Sequence, residues 1–225
     1  MIAYYTFNPD SPLSDLSGVS GSLTDGTGTS NPTTYQASGP WPGAYSAVFS
    51  GSNYLQLPSL NLGKMSANLG FSVCTWFQFT ELNDVASRVF DFAADPSYQG
   101  PSGAAYNFIL QYGSNGDLLL QHYDTWNSAN NLDLPNPILS NEWRHICITN
   151  KGLSLKVYDN GRLAVSVTTA KFQDVLLTSN FLGKSHWASN PMLRGAIDDF
   201  RVYSTELPAD EVSKVYSLAP GMFQQ

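Results

Sequence analysis

Alternating hydrophobic and polar positions are clearest between Phe71 and Phe79. Successive side chains of an extended strand point to opposite faces of its sheet. The odd-numbered positions of this run carry large apolar side chains and one threonine, whereas the even-numbered positions carry a mixture of types. The pattern predicts a long strand with one face in a hydrophobic core.

A β-hairpin is predicted from the alternating runs Leu153 to Tyr158 and Leu163 to Val167. The residues between them are Asp159-Asn160-Gly161-Arg162, and Asn-Gly tolerates the positive φ angles of a type I′ turn. We expect one buried face to be built from Leu153, Leu155 and Val157 together with Leu163, Val165 and Val167.

Shorter strand-like runs recur along the rest of the chain between turn-forming residues. They are Ala3 to Phe7, Ala44 to Phe49, Tyr54 to Leu57, Arg88 to Phe92, Tyr106 to Tyr112, Asp117 to Tyr123, Phe181 to Gly183 and Ala196 to Tyr203. A helix is predicted from Pro208 to Ser217, because proline followed by acidic residues favours a helix start. Two segments are interpreted as long loops, Ser20 to Gly43 and Asp124 to Ser140. No change in composition marks a linker, so we expect residues 1–225 to form one domain.

Composition supports a β-rich globular domain. Charged residues make up only 13% of the chain and aromatic residues another 13%, and turn-forming glycine and proline are common. The net charge is −7 and no cluster of Lys and Arg occurs, so nucleic acid and anionic membrane surfaces are unlikely partners. The sequence has no run of about 18 apolar residues that could span a membrane. The N-terminus reads as a strand and not as a signal peptide. The chain is then either intracellular or a domain of a larger secreted protein, and we favour the second interpretation.

Two cysteines, Cys74 and Cys147, lie in strand-like runs distant from each other in sequence. A disulfide between them would indicate an oxidising compartment. Two buried free thiols are the alternative, because a free cysteine behaves as a small hydrophobic residue.

Several segments resemble, in order, those of one β-sandwich family. They are Tyr4 to Phe7, Asp15 to Gly18, Val48 to Leu55, Phe71 to Phe77, Asn141 to Thr149, Asp159 to Gly161 and Gly195 to Tyr203. Together they resemble the concanavalin A-like jelly roll, in its laminin-G-like and pentraxin-like branch, over about residues 3 to 217. The resemblance implies an all-β, two-sheet antiparallel sandwich with one short C-terminal helix. It also implies a disulfide between Cys74 and Cys147.

The resemblance also bears on calcium. Pentraxins build a paired calcium site on acidic and amide side chains, but Leu182 to Asn190 has no carboxylate and Ala93 to Ala105 keeps only Asp95, so we expect that site to be absent. Related jelly rolls hold one structural calcium ion through an aspartate that corresponds to Asp198. Backbone carbonyl groups near Asn8 and Ser52 would complete this site. A salt bridge from Asp198 to Arg194 or Arg201 is the alternative.

Catalytic patterns are missing from the sequence. The paired carboxylates of glycoside hydrolysis, Glu-x-Asp-x-x-Glu in laminarinase-like jelly rolls, do not occur. Alginate-lyase-like, nucleophile-elbow and His-Glu-x-x-His patterns are absent as well. Three histidines are scattered along the chain, and we interpret His145 as a structural residue with satisfied hydrogen bonds. We therefore expect no enzymatic activity.

Two aromatic segments are candidates for glycan binding, because sugar rings pack on aromatic faces and bond to amides. The candidate ligand-binding residues are His122, Tyr123, Trp126, Trp187 and Asn190. Polar neighbours favour exposure of Trp126, and exposed tryptophans often mark binding patches. Alternatively, each tryptophan folds back over the edge of the sandwich.

These observations predict a non-catalytic extracellular recognition module that binds a glycan or a cell-surface protein in a lectin-like or adhesive role. A glycan-active enzyme with an unrecognised site and a structural spacer within a larger surface protein are the alternatives. The fold alone does not decide among them.

Overall fold

The computed structural model describes residues 1–26, 33–94, 106–125 and 128–217. These residues form fifteen strands and two helices. The strands are β1 (Ala3–Tyr5), β2 (Thr24–Asp25), β3 (Thr34–Gln36), β4 (Ser46–Ser50), β5 (Leu55–Leu57), β6 (Phe71–Phe79), β7 (Arg88–Ala93), β8 (Phe108–Tyr112), β9 (Leu118–Thr125), β10 (Ser128–Asp133), β11 (Arg144–Lys151), β12 (Ser154–Asp159), β13 (Arg162–Thr168), β14 (Ser179–Leu182) and β15 (Arg194–Tyr203). The helices are α1 (Leu62–Ala67) and α2 (Ala209–Ser217).

Two antiparallel sheets make up a jelly-roll sandwich, which confirms the predicted fold class. An eight-stranded sheet has the order β13-β12-β11-β6-β15-β4-β3, with β1 also paired to β15. A seven-stranded sheet has the order β10-β9-β8-β7-β14-β5-β2. Neither helix in the described part of the chain is long and apolar enough to cross a membrane.

The main core lies between the sheets. The predicted inward face of β6 contributes Phe71, Val73, Phe77 and Phe79 to it. Phe90, Phe92 and Phe108 of the facing sheet are also buried, and Phe90 and Phe108 have ring centroids 5.5 Å apart. Aromatic pairs of this kind add to the stabilisation that burial provides.

A second, smaller core lies on the outer face of the eight-stranded sheet, beneath α2. Cys74 and Cys147 lie directly opposite each other on β6 and β11 and form a disulfide, as the resemblance implied. Val212 and Val215 of α2 pack over this bond. Beside it, the Trp76 ring stacks on Tyr216, with centroids 5.3 Å apart. The predicted C-terminal helix therefore covers one side of the sandwich.

Several local expectations differ from the structure. The segments interpreted as long loops contain β2, β3 and β10, which pair with strands that the sequence does predict. A further short helix, α1, follows Asn61, whose side chain accepts a hydrogen bond from the Lys64 amide at 2.9 Å. This cap satisfies an amide at the start of the helix and so stabilises it. With six residues, α1 is too short to be predicted from hydrophobic periodicity.

The hairpin forms as predicted, but its buried face is smaller than expected. Asn160 and Gly161 have φ angles of 46° and 77°, as a type I′ turn requires. A register shift between Val157 and Tyr158 then changes which residues face the core. Leu163 is therefore 56% exposed, and Leu153, which lies before β12, is 52% exposed, so their predicted burial is wrong.

Candidate ligand-binding site

The outer face of the seven-stranded sheet carries a row of mostly polar side chains in register. Across the sheet, this outer row is Asn131, Gln121, Ile109, Asp91, Phe181 and Gln56. The neighbouring positions on the same strands, such as Leu110, Leu120 and Leu182, belong to the core. Because side chains alternate along each strand, the outer row faces away from the core.

Asp91 is the centre of a buried polar cluster in this row. Its carboxylate accepts a hydrogen bond from Asn107 Nδ2 at 3.1 Å and lies 3.4 Å from Arg88 Nε. The Nδ1 atom of His186 lies 2.9 Å from Asp91 Oδ1, and the His186 backbone amide donates to Oδ2 at 3.2 Å. Burial would raise the pKa of the Asp91 carboxyl, but His186 and Arg88 outweigh it and hold that pKa below its usual value. Asp91 is therefore an anion neutralised by its neighbours.

The same cluster positions an aromatic surface. The guanidinium carbon of Arg88 lies 5.4 Å from the Trp187 ring centroid, within the range of cation–π attraction. Trp187 is partly exposed, and its ring centroid lies 6.1 Å from that of Tyr123, which is also partly exposed. We call these three residues, Arg88, Tyr123 and Trp187, the Trp187 surface.

Hydrogen bonds within one short loop fix the backbone at Trp187. The Ser185 hydroxyl accepts from the Trp187 amide and from Asn190 Nδ2, both at 3.1 Å. The Asn190 amide donates to the Trp187 carbonyl at 3.0 Å. Asn190 thus closes the loop that carries Trp187.

The structure brings together only some of the predicted ligand-binding residues. Tyr123 and Trp187 lie side by side, with Asn190 in the loop behind them. His122 lies on the inward side of β9, where its ring stacks on Phe172 with centroids 3.7 Å apart. Trp126 lies outside the described residues. Among the described candidates, His122 therefore lies apart from the Trp187 surface.

Sequence reasoning missed Arg88, Asp91 and the contact of His186 with Asp91. One signal was available, because an aspartate between Phe90 and Phe92 interrupts an otherwise apolar strand. A buried carboxylate needs a cation or hydrogen bonds, so its position implied partners elsewhere in the chain.

The predicted calcium ligand Asp198 lies in a second buried polar cluster. Asp198 and Asp199 are both fully buried, and Arg201 pairs with Asp199 Oδ1 at 2.8 Å. The Oδ2 atoms of both aspartates lack a hydrogen-bond partner. Burial, together with the charge of Asp199, raises the pKa of Asp198 well above its usual value. The raised pKa favours the protonated, neutral form of Asp198, and a bound cation would favour its ionised form instead.

Asn8 and Ser52 were predicted to supply the other calcium ligands, and neither lies in the buried cluster around Asp198. Strand β15 aligns Arg194 with Ser50, so Ser52 lies near Arg194, four positions and roughly 13 Å along the strand from Asp198. Asn8 is exposed, and its carbonyl accepts a hydrogen bond from the Ser11 amide. In the described ranges, no three His, Cys, Asp or Glu side chains form a group that could hold a metal ion. The calcium site stays a prediction, which melting the protein with and without a chelator would test.

Residues 49–213 match a sequence profile of the laminin G family Laminin_G_3, described as the concanavalin A-like lectin/glucanases superfamily. No curated protein sequence matches the chain.

Similar folds occur among solved structures. Domain 4 of AbnA, an extracellular GH43 arabinanase from Geobacillus stearothermophilus solved with arabinotriose, has a TM-score of 0.72 and 22% identity, covering 96% of this chain and 97% of that one. A structure of botulinum neurotoxin type C, whose cell entry depends on two ganglioside molecules, has a TM-score of 0.68 and 14% identity, covering 96% and 50%. The binding domain of Paraclostridial Mosquitocidal Protein 1 has a TM-score of 0.67 and 16% identity, covering 96% and 51%. The chain therefore spans about half the length of these two toxin chains.

Proposed function

This chain belongs to the Laminin_G_3 family of the concanavalin A-like lectin/glucanase superfamily, and from that premise we propose that it is a non-catalytic extracellular module that recognises a glycan at the Trp187 surface. The observation that carries the proposal is the pairing of Trp187 and Tyr123, partly exposed and 6.1 Å apart, beside the Arg88 guanidinium. Exposed aromatic side chains grouped with polar ones are typical of binding sites.

The Trp187 surface has the side chains needed to bind a sugar ring. The ring faces of Trp187 and Tyr123 offer apolar area for the C–H face of a sugar, and their polar edges offer hydrogen bonds. Arg88 and the Ser185 hydroxyl hold Trp187 in place before any ligand arrives. A preorganised side chain loses less conformational entropy on binding, which favours affinity.

A binding role agrees better with this geometry than catalysis does. Glycoside hydrolysis uses two carboxyl groups on either side of the scissile bond. Asp91 is the carboxylate found beneath the Trp187 surface in the described residues, and Arg88, Asn107 and His186 already engage it. An acid in that state lacks the raised pKa of a general acid.

The comparisons support recognition and an extracellular location. The arabinanase relative is an extracellular protein whose domain 4 was solved with arabinotriose, and the toxin relative depends on gangliosides. The disulfide between Cys74 and Cys147 supports an oxidising compartment. These relatives suggest arabino-oligosaccharides and sialylated glycans as the first ligands to test.

A glycan array followed by calorimetry on the binding glycans tests the proposal. We expect Trp187→Ala to weaken binding about 30-fold, since removing a central aromatic anchor costs about 2 kcal/mol. Tyr45→Ala is the matched control, because Tyr45 is also a half-buried aromatic residue but lies beside β4 of the other sheet. Unchanged circular dichroism confirms that both variants fold.

Three results would count against the proposal. If the wild-type protein binds no glycan, a protein partner or a spacer role takes its place. Equal affinity of Trp187→Ala and the wild type would place the site elsewhere. Release of reducing ends from a polysaccharide panel would overturn the non-catalytic role.

A further inference from the structure

A cavity of about 180 Å³ lies at one open edge of the sandwich, away from the Trp187 surface. Strands β10 and β13 border it, and each is the last strand of its sheet. The cavity thus opens between the two sheets where neither edge strand has a further partner. We call it the edge cavity.

The floor of the edge cavity is aliphatic. Leu120, Leu132, Leu155 and Val167 contribute to it from four different strands, two in each sheet. Leu120 and Leu155 are only 2% exposed. An apolar floor of this kind favours binding of an apolar group, because burial removes apolar surface from water.

The rim of the edge cavity is polar. Asn130 and Asn131 lie on one side, and Thr168 and Thr169 lie on the other. Asn130 lies opposite His122, on the inward side of β10, and its Nδ2 atom donates to the His122 carbonyl at 3.3 Å. The amide group carries a second hydrogen that can donate to a ligand. No Asp, Glu, Lys or Arg is among the described residues that line the cavity.

Adjacent residues of β9 separate the edge cavity from the Trp187 surface. His122 lines the cavity, with Nδ1 3.4 Å from the Thr169 hydroxyl, whereas Tyr123 contacts Trp187. The two sites therefore lie on opposite sides of one strand, and a ligand in one does not occupy the other.

We propose that the edge cavity binds a neutral, single-ring amphiphile, meaning an apolar ring that carries one hydroxyl group. The volume decides the size, since a cavity of about 150 Å³ already accepts benzene and drug-sized sites begin near 300 Å³. The aliphatic floor takes the ring, and the Asn130 amide donates to the hydroxyl oxygen. A charged ligand would lose its hydration here, and none of the described lining residues is an Asp, Glu, Lys or Arg that could pair with it.

Methyl-resolved NMR with the whole chain and p-cresol as the probe tests this assignment. We expect saturable shifts of the Leu120, Leu132, Leu155 and Val167 methyl groups, with a dissociation constant on the order of 1 mM, as for a ligand of this size. Benzoate, which has a similar ring but a negative charge, is expected to bind at least 10-fold more weakly.

Two variants and one control variant locate the ligand. Val167→Phe fills the cavity and should weaken p-cresol binding at least 10-fold, while Leu163→Phe, at an exposed position of the same strand, should not. Asn130→Ala should weaken p-cresol binding about 5-fold and leave toluene binding unchanged, because toluene has no hydroxyl group.

The proposal is overturned if p-cresol causes no methyl shifts, or if Val167→Phe binds it as well as the wild type does. It is also overturned if a methyl pyranoside shifts the same methyl groups and p-cresol does not, since the cavity would then be a sugar subsite. If Val167→Phe does not fold, equal effects of Asn130→Ala on p-cresol binding and on toluene binding would still contradict the assigned hydroxyl contact.

Discussion

His145 is fully buried, yet neither imidazole nitrogen has a hydrogen-bond partner. The sequence predicted a structural residue with satisfied hydrogen bonds, and the second half of that prediction is wrong. Its ring contacts both Trp76 and Tyr216, with ring centroids 5.3 Å and 5.7 Å away. Burial, aided by the charge of Arg201 and opposed by Asp159, lowers the pKa of His145 to about 3. The folded protein therefore holds this ring neutral.

This neutral histidine predicts a pH dependence of stability. The pKa of an unfolded histidine is about 6.5, so unfolding takes up a proton between that value and the folded pKa of about 3. The loss of stability caused by His145 is absent above pH 6.5, grows as the pH falls, and reaches about 3 kcal/mol at pH 4. His145→Leu removes this loss and is expected to be neutral or stabilising at pH 7, because it removes two unpaired buried polar atoms.

Urea unfolding of the wild type and His145→Leu at several pH values between 7 and 4 measures the effect. The difference between the two proteins isolates His145, because Asp91, Asp198 and Asp199 titrate in both. If the free energies of unfolding of the two proteins change with pH in parallel, the His145 ring is protonated or has a hydrogen-bond partner in the folded state.

At the scale of elements, short strands in polar segments escaped prediction for a physical reason. The six residues of β10 contain two asparagines and an aspartate, which have low strand propensity. This strand forms because its backbone pairs with β9 from Ser128 to Asp133. Long alternating strands such as β6 carry their pattern in their own residues, so their bounds could be predicted closely.

The β12–β13 turn packs against α2, and a pair of glycine variants can isolate that contact. Gly152 and Gly161 both have positive φ angles, but only Gly161 has a close neighbour, since an added Cβ would lie 2.9 Å from Tyr216 Cδ1. We expect Gly152→Ala to lower the free energy of unfolding by about 1 kcal/mol through backbone strain alone. Gly161→Ala should cost about 1–2 kcal/mol more, because the added methyl group displaces Tyr216.

Chemical unfolding of both variants provides the measurement, and Tyr216→Ala provides the control. In the Tyr216→Ala background, the extra cost of Gly161→Ala should disappear while the cost of Gly152→Ala stays. If both glycine variants lower the free energy of unfolding equally in the wild-type background, Tyr216 and α2 move to accommodate the added methyl group without a loss of stability.

At the scale of the whole molecule, the candidate site depends on contacts that local patterns do not contain. The aromatic residues Tyr123 and Trp187 could be selected from their polar surroundings, because exposure is a local property. The contact between Asp91 and His186 could not be predicted, because the two residues lie 95 positions apart in sequence. They meet only once β7 and β14 pair. Local sequence thus predicts which residues can bind, and the topology decides which of them meet.

The disulfide is a covalent contact between two residues that are distant in sequence. Cys74 and Cys147 are separated by 73 positions, and the chain between them includes β7, β8, β9 and β10 of the opposite sheet. The pairing of β6 with β11 extends from Arg144–Phe77 to Asn150–Phe71 on either side of the bond. Hydrogen bonds along the whole ladder therefore hold this register in addition to the bond itself.

Removing the disulfide should lower stability without changing the fold. Cys74→Ala combined with Cys147→Ala is expected to lower the free energy of unfolding by about 4 kcal/mol, because the unfolded chain regains the entropy of a large open loop. Urea unfolding with and without a reducing agent measures this loss, with circular dichroism to follow the fold. Reduction should lower the midpoint of the wild type and leave the double variant unchanged. If fully reduced wild-type protein keeps its midpoint, the strand ladder alone supplies the stability assigned here to the bond.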